Sequence, residues 1–235
     1  MIDFSKEPRT YTELAEALSK SNEEYHKKIL EKGIDSHSQI KDAAFFSKRI
    51  ELFIKNFFNL EKTIIMDCGC GLGFIARELE KCKSFVVYYS DPSTSVKKII
   101  ETIYPSKNFF SGDIEKIPEK FDDCFDVIYL REVYPFTRTN EITLHSSLIK
   151  ILNKKLKKNG ILIFEQIKNP RDIFNNLKKL QLDYQIFYLP PVRWLNFQWF
   201  YRIYFNFNFF SFFVKILYKL FNKKISHYLV IKKAT

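Results

Sequence analysis

The densest chemistry in the chain lies in TIIMDCGCGLGFIARELEK, Thr63 to Lys81, where Asp67 to Gly73 hold one carboxylate, two thiols and three glycines. The chain has only six glycines, so the grouping of Gly69, Gly71 and Gly73 is a local demand and not a matter of composition. Thr63–Asp67 reads as a buried strand and Phe74–Lys81 as a helix, which puts the glycines on the turn between them. Glycine serves such a turn because the backbone adopts unusual φ/ψ values there and a ligand can approach without meeting a Cβ. The helix start behind it offers free N–H groups.

Three ligand classes are the obvious ones for such a loop. A zinc site is poorly served, because Cys68 and Cys70 form a C-x-C pair with no second pair at zinc spacing. Their side chains are expected to fill small pockets at a crowded turn. A dinucleotide fingerprint requires G-x-G-x-x-G, whereas Phe74 follows Gly73 here. A Walker loop requires Gly-Lys-Ser/Thr, which is absent. No metal is expected.

The elements that must position this loop alternate along the chain. β-rich runs at 63–67, 84–91, 107–113, 125–130 and 160–167 are separated by helical patterns at 72–81, 94–104 and 141–158. Such alternation predicts βαβ units and a parallel sheet with its ligands at the carboxyl ends of the strands. Two further strands are predicted at 182–189 and 227–234. Before the sheet, 11–33 and 36–58 read as two helices, giving an N-terminal helical cap over 1–60 and a main domain over 61–235.

The motif D-x-G-x-G-x-G in Asp67–Gly73 resembles the first motif of class I S-adenosylmethionine-dependent methyltransferases. Three more landmarks follow at the family's spacing: YYSDPS with Asp91, SGDIEKIP with Asp113 and Ile114, and the fourth and fifth strands FDDCFDVIYLREV and LKKNGILIFEQI. The resemblance covers about 60–168. It implies an α/β fold with a seven-stranded Rossmann-like sheet of order 3-2-1-4-5-7-6, strand 7 antiparallel, and S-adenosylmethionine as cofactor. By the same resemblance Asp67, Gly69, Cys70, Gly71 and Gly73 face the cofactor's amino-acid end. Asp91, with Pro92 beside it, accepts the ribose hydroxyls, Asp113 and Ile114 lie along the adenine, and Arg131 closes the cofactor side. Each acid also has a purely structural reading: Asp67 as a helix-capping or turn carboxylate, Asp91 as an N-cap, Asp113 as a strand-end turn residue.

Methyl transfer from a sulfonium is an in-line displacement, so the enzyme's main contribution is alignment, and a base is needed only when the acceptor must lose a proton. The acceptor side follows the fourth strand, in REVYPFTRTNE. The [ND]-P-P-[YF] motif of amine-methylating relatives is missing there, and LPPVRW at Leu189 comes too late. Arg131, Glu132, Tyr134 and Arg138 are the polar candidates for the acceptor, with His37 on the helix that in relatives folds over the site. Glu132, Tyr134 and His145 are the candidates for proton transfer. Arg131 and Glu132 have a structural alternative, pairing with the N-terminal helices.

Charge is unevenly spread. Residues 150–235 hold seventeen Lys and Arg against three acids, a surplus of fourteen within a net charge of +11. This favours an anionic partner or acceptor, although a lysine-rich solvated surface has the same composition. The connection 190–224 carries fourteen aromatic residues in 35, and Asn208, Ser211, Lys215, Lys219 and Asn222 form one narrow polar stripe on a helix. The apolar remainder is expected to be buried in the fold or in a homodimer first, and to meet a membrane surface second. Nucleic acid comes last, because little Arg or Lys is interleaved with the rings.

The expected activity is O-methylation of a small acceptor, anionic or phosphate-containing, such as a glycan (cell-surface polysaccharide) precursor. The alternatives are an RNA methyltransferase, a lipid- or quinone-precursor methyltransferase at the membrane surface, and a partner subunit that binds the cofactor without turnover. With no signal segment and no long apolar run, a cytoplasmic location is expected, or a peripheral one at the inner membrane surface.

Overall fold

The strands form at short runs of β-branched and aromatic residues bounded by turns. The computed structural model describes residues 24, 37–57, 62–103, 107–139, 141–166, 171–189, 212–216, 220 and 227–233. A helix α1 (His37–Phe57) leads into β1 (Thr63–Cys68), α2 (Phe74–Glu80), β2 (Phe85–Asp91), α3 (Thr94–Ile103) and β3 (Phe109–Ser111). After two 3-10 turns (Ile114–Lys116 and Glu119–Phe121) come β4 (Phe125–Arg131), α4 (Tyr134–Arg138), α5 (Ile142–Lys155), β5 (Leu156–Gln166), α6 (Arg171–Lys179), β6 (Tyr184–Tyr188) and β7 (His227–Lys232). The expected first N-terminal helix and most of 190–224 lie outside the described residues.

The seven strands make one sheet in the order β3-β2-β1-β4-β5-β7-β6. β1 pairs in parallel with β2 on one side and β4 on the other, and β7 runs antiparallel between β5 and β6. β1 is therefore the strand at which successive connections change direction, and its carboxyl end opens on a crevice. Asp67 lies at that end, in register with Tyr89 of β2 and Tyr129 of β4.

Both faces of the sheet are covered, which is why β4 is buried at every residue from Phe125 to Leu130 and not at alternate ones. One core layer joins Ile50, Phe53 and Ile54 of α1, Ala76 and Leu79 of α2, and Ile99 and Ile100 of α3 to Ile65, Val87, Val127 and Tyr228. The opposite layer joins Phe136, Leu148, Leu152, Ile173 and Leu177 to Met66, Ile128, Leu130 and Phe164. α1 docks through Phe46, Ile50, Phe53 and Ile54, residues spaced to share one helix face. Phe53 meets Tyr228 and Phe187 edge-on, with ring centroids 4.9 and 5.1 Å away.

Two boundaries differ from the sequence expectation. The helix predicted over 141–158 ends at Lys155, where Leu156 turns extended (φ −76°, ψ 142°). Leu156 already pairs with Phe125, and regular pairing resumes only at Ile161 with Val127. The chain between them folds through Asn159 at φ 64°. A Cβ on Gly160 would lie 2.9 Å from the Lys157 carbonyl and 3.0 Å from that of Phe125, so only glycine passes there. The short helices α4 and α6 were not anticipated.

One ionic contact ties α1 to the sheet. Arg49 donates to Glu165, both wholly buried, and its Nε donates to the Tyr228 hydroxyl at 3.2 Å. The Tyr129 hydroxyl donates to the other Glu165 oxygen. Removing one partner of a buried pair leaves a charge without compensation, at a cost of about 3–5 kcal/mol. Arg49→Met is thus expected to lower the unfolding free energy by about that amount. The double variant Arg49→Met/Glu165→Gln should recover most of it, as read by urea denaturation at pH 7.

Candidate functional site

The glycine loop is held against β2 by its own backbone. The amides of Gly69 and Cys70 both donate to the Ser90 carbonyl at 2.9 Å. Gly69, Gly71 and Gly73 all lie in the left-handed region, at φ 76°, 53° and 72°. A Cβ on Gly69 would come within 2.8 Å of Val133, whereas one on Gly71 would meet nothing within 4 Å. Gly69 is needed for packing, and Gly71 presents bare backbone to open space.

The two thiols are poor metal ligands or nucleophiles here. Burial pushes Cys68 up to about 12 and Cys70 well above its ordinary value. Cys68 accepts from the Ser90 hydroxyl at 3.8 Å and Cys70 donates to the Gly71 carbonyl at 3.3 Å. Among the described residues, no three His, Cys, Asp or Glu side chains are grouped to hold a metal ion.

Asp67 is 3% exposed, and its Oδ2 is buried with no hydrogen-bond partner. Burial raises its pKa to about 7. Arg131 and the Ala76 amide pull it down, while Asp91 and Glu165 push it up. Such an acceptor is poised for a cationic donor arriving from outside the chain.

Asp91, at the end of β2, braces the loop. Its Oδ2 accepts from the Gly71 amide and its Oδ1 from the Ser93 amide, both at 2.9 Å. Burial raises its pKa, those two amides oppose the rise, and Asp113 adds to it. The helix cap itself is Ser93, whose hydroxyl accepts from the Val96 amide at 3.4 Å. Pro92 is exposed beside it. At the end of β3, Asp113 pairs with Lys116 at 3.3 Å, and the Gly112 amide donates to the Asp91 carbonyl at 3.1 Å. Ile114 is 7% exposed and packs in the core layer with Ile117. Asp67, the glycine loop, Asp91 and Asp113 thus gather along the carboxyl ends of β1, β2 and β3.

The β4 end supplies the other wall. The Arg131 guanidinium lies 3.7 Å over the Phe46 ring of α1, and its Nε is 3.8 Å from Glu165 Oε1. Glu132 is exposed, takes a left-handed conformation (φ 51°) and donates its amide to the Glu165 carbonyl at 3.0 Å. Tyr134 opens α4, half-buried. His145 does not lie open to the crevice. It is fully buried, with Nε2 2.8 Å from the Pro135 carbonyl and 3.2 Å from the Thr139 hydroxyl, and Nδ1 2.9 Å from Asn176. It joins α4, α5 and α6. His37 begins α1 and Arg138 ends α4; the side chains of both lie outside the described residues.

Phe46, Arg49 and Glu165 were not anticipated. The signal for Glu165 was present, since a lone acid inside GILIFEQI demands a buried cationic partner. Nothing marked Arg49 or Phe46 as that partner and its neighbour among the many charged and aromatic residues.

Comparisons with known proteins agree with this fold. Residues 66–164 match the family model described as a methyltransferase domain. No curated protein sequence matches the chain. Among solved structures, the plantazolicin methyltransferase BpumL with S-adenosylhomocysteine superposes with a TM-score of 0.57 at 13% identity, over 92% of this chain and 90% of that one. A methyltransferase from Aquifex aeolicus gives 0.53 at 14% identity, over 89% and 98%. Phosphoethanolamine N-methyltransferase 2 of Haemonchus contortus with S-adenosylmethionine gives 0.53 at 14%, over 89% of this chain and 60% of that one. Residues 66–164 thus match a methyltransferase-domain model, and the strand order is that of the Rossmann-like methyltransferase fold.

The raised pKa of Asp67 makes a stability prediction. Between about pH 4 and 7 the folded protein keeps a proton that the unfolded chain has released, so this group's contribution falls as pH rises through that window. Asp67→Asn removes the penalty. The variant is expected to be more stable than the parent at pH 8, by about 4 kcal/mol at most, and no more stable near pH 4. Urea midpoints at the two pH values give the comparison.

Proposed function

We propose that the protein transfers the methyl group of S-adenosylmethionine to an oxygen of a small, negatively charged acceptor. The observation that carries the cofactor half is the buried Asp67 oxygen without a partner, set behind a glycine loop whose Gly71 backbone faces open space. Its fit is chemical. The cofactor's amino-acid end brings an ammonium to Asp67, its ribose brings two hydroxyls to Asp91, and its adenine lies toward Asp113. Asp91 accepts one amide on each oxygen, and a carboxylate oxygen has a further lone pair for a hydroxyl. Bound there, the cofactor supplies a methyl group already activated on a sulfonium. The chain's part is to align the acceptor with it and keep water away.

The acceptor reading rests on the β4 end and on charge. Glu132 and Tyr134 are the groups placed to orient an acceptor or take its proton, and His145 positions α4. Arg131 and the surplus of fourteen basic charges over 150–235 favour a carboxylate- or phosphate-bearing acceptor, such as a glycan precursor. A phosphate-bearing acceptor has precedent on this fold in the phosphoethanolamine enzyme. The second reading, a lipid or quinone precursor at a membrane surface, is favoured by one feature: Phe212, Phe213, Ile216 and Leu220 are exposed, and their spacing puts them on one helical face. No helix among the described residues is long and apolar enough to cross a membrane.

Two measurements test this. Radiolabelled methyl transfer from S-adenosylmethionine into fractionated extract is expected to label small polar metabolites. Label in the lipid fraction selects the second reading, and label in RNA overturns both. Calorimetric titration should show an affinity for S-adenosylmethionine that rises with pH up to about 7 and falls again above about 8, because an ionised Asp67 receives an ammonium whose ordinary pKa is about 7.7–8.0. Close to one proton should be released at pH 6 and most of one taken up at pH 8.5, and Asp67→Asn should abolish the release at pH 6.

A further inference from the structure

Every large apolar side chain that stands exposed among the described residues lies in one short stretch: Phe212, Phe213, Ile216 and Leu220, between 39% and 72% exposed. Residues 212–216 and 220 are helical. At about 100° of helix per residue, the spacing of the four confines them to roughly a 100° arc. Val214, on the far side of that helix, is buried, and Lys215, on its flank, sets its Nζ 5.2 Å over the Tyr188 ring of β6. The helix is therefore seated on the protein by its other side and turns its most apolar face outward. A surface helix that only covers a core does the reverse. Exposed apolar side chains gathered on one face mark a docking surface.

Charge decides what covers this face. The segment 190–224 holds six Lys and Arg and no Asp or Glu. A second copy packed about a two-fold axis would set the segment against itself, basic charge facing basic charge with no acid to offset it. Single-stranded nucleic acid needs rings to stack on, and Ile216 and Leu220, half of the face, have none. An apolar face flanked by lysine and free of acids suits the interface of an anionic bilayer. Its position suits the site as well. Tyr188 is in register with His227, and His227 with Gln166, one residue beyond Glu165 and its neighbour Arg131. The helix is thus anchored at the carboxyl end of the sheet, three strands from β4, or about 14 Å.

We propose that this face docks the protein on an anionic lipid bilayer, with Phe212, Phe213, Ile216 and Leu220 entering the acyl boundary and Lys215 at the headgroups. Docking shares the membrane of the second reading above, but it holds for either acceptor, because it needs neither cofactor nor acceptor. It brings the crevice end of the sheet to the membrane, where an acceptor carried on a lipid would be met.

The test is co-sedimentation of the full chain with vesicles of phosphatidylcholine alone and of about three parts phosphatidylcholine to one part phosphatidylglycerol, at about 0.1 M salt. The wild type is expected to bind the anionic vesicles at least roughly tenfold more tightly than the neutral ones, and less tightly as salt is raised. Phe212→Ser/Leu220→Ser should weaken that binding by roughly tenfold to a hundredfold. The urea midpoint of this variant should match that of the parent, since both side chains are exposed. No binding of the wild type to anionic vesicles overturns the proposal, as does equal binding to neutral ones or binding that the double variant retains in full. A dimer in sedimentation velocity without vesicles, converted to monomer by the double variant, assigns the face to a second copy and overturns it too. Vesicle binding is read without methyl transfer, so a polar acceptor overturns the second reading and leaves docking standing. Failure to dock, in turn, leaves the cofactor site untouched.

Discussion

A carboxylate placed at the end of the central strand, out of water and one hydrogen bond short, is the constraint around which the site is organised. Asp67 belongs there for no reason of stability. Burial, helped by Asp91 and Glu165, raises its pKa to about 7 against the pull of Arg131 and the Ala76 amide. A chain selected only for folding would place Asn or an apolar residue at this position. Its retention makes sense only if something from outside completes the hydrogen bonding, and the bare backbone at Gly71 leaves room for that. Cost and function therefore meet in the same atom, Asp67 Oδ2.

The neighbouring charges show how the sheet tolerates such a group. Arg49 and Glu165 form a buried ionic contact, and a buried ion pair is weak evidence of net stability compared with apolar residues of similar size. Its effect here is positional. It fixes α1 across the carboxyl half of the sheet, which carries Phe46 to the Arg131 guanidinium and the helix's apolar face onto Tyr228 and Phe187. The order of dependence runs from Glu165 to Arg49, from α1 to Phe46, and from Phe46 to Arg131. None of these residues need touch a reacting atom for a change in one of them to be felt at the site.

Much of this was legible in the sequence, and what was not has identifiable causes. The strands β1, β2 and β4 are dense in β-branched and aromatic residues and are bounded by turn residues, so their existence and order follow from local pattern. The loop Asp67–Gly73 is legible because it needs three left-handed residues in five, a demand that local sequence must meet by itself. The ends of β5 and α5 are less so, since Leu156–Gly160 is shaped by the Phe125 carbonyl, 35 residues upstream of Gly160. The short α4 and α6 depend on His145 and Asn176, which meet only in three dimensions. For the same reason His145 reads as a candidate base in sequence and as a fastener in space. Arg49 and Glu165 are 116 residues apart, and no period or spacing connects them.

The acceptor side extends the same logic. Glu132 occupies a left-handed backbone position that non-glycine residues adopt at a cost, and its amide is tied to the Glu165 carbonyl. Val133 lies against Gly69, so the turn after β4 and the glycine loop are packed on one another. Pro135 and Thr139 are anchored through His145 to α5 and, by Asn176, to α6. The wall that would face an acceptor is thus built from the ends of β1 and β4 and set by contacts from α1, α5 and α6. Displacement at an activated methyl group depends chiefly on alignment to within a fraction of an ångström, and a wall braced from three helices suits that requirement. This accounts for an arrangement in which most of the polar residues around the crevice are engaged with other parts of the protein.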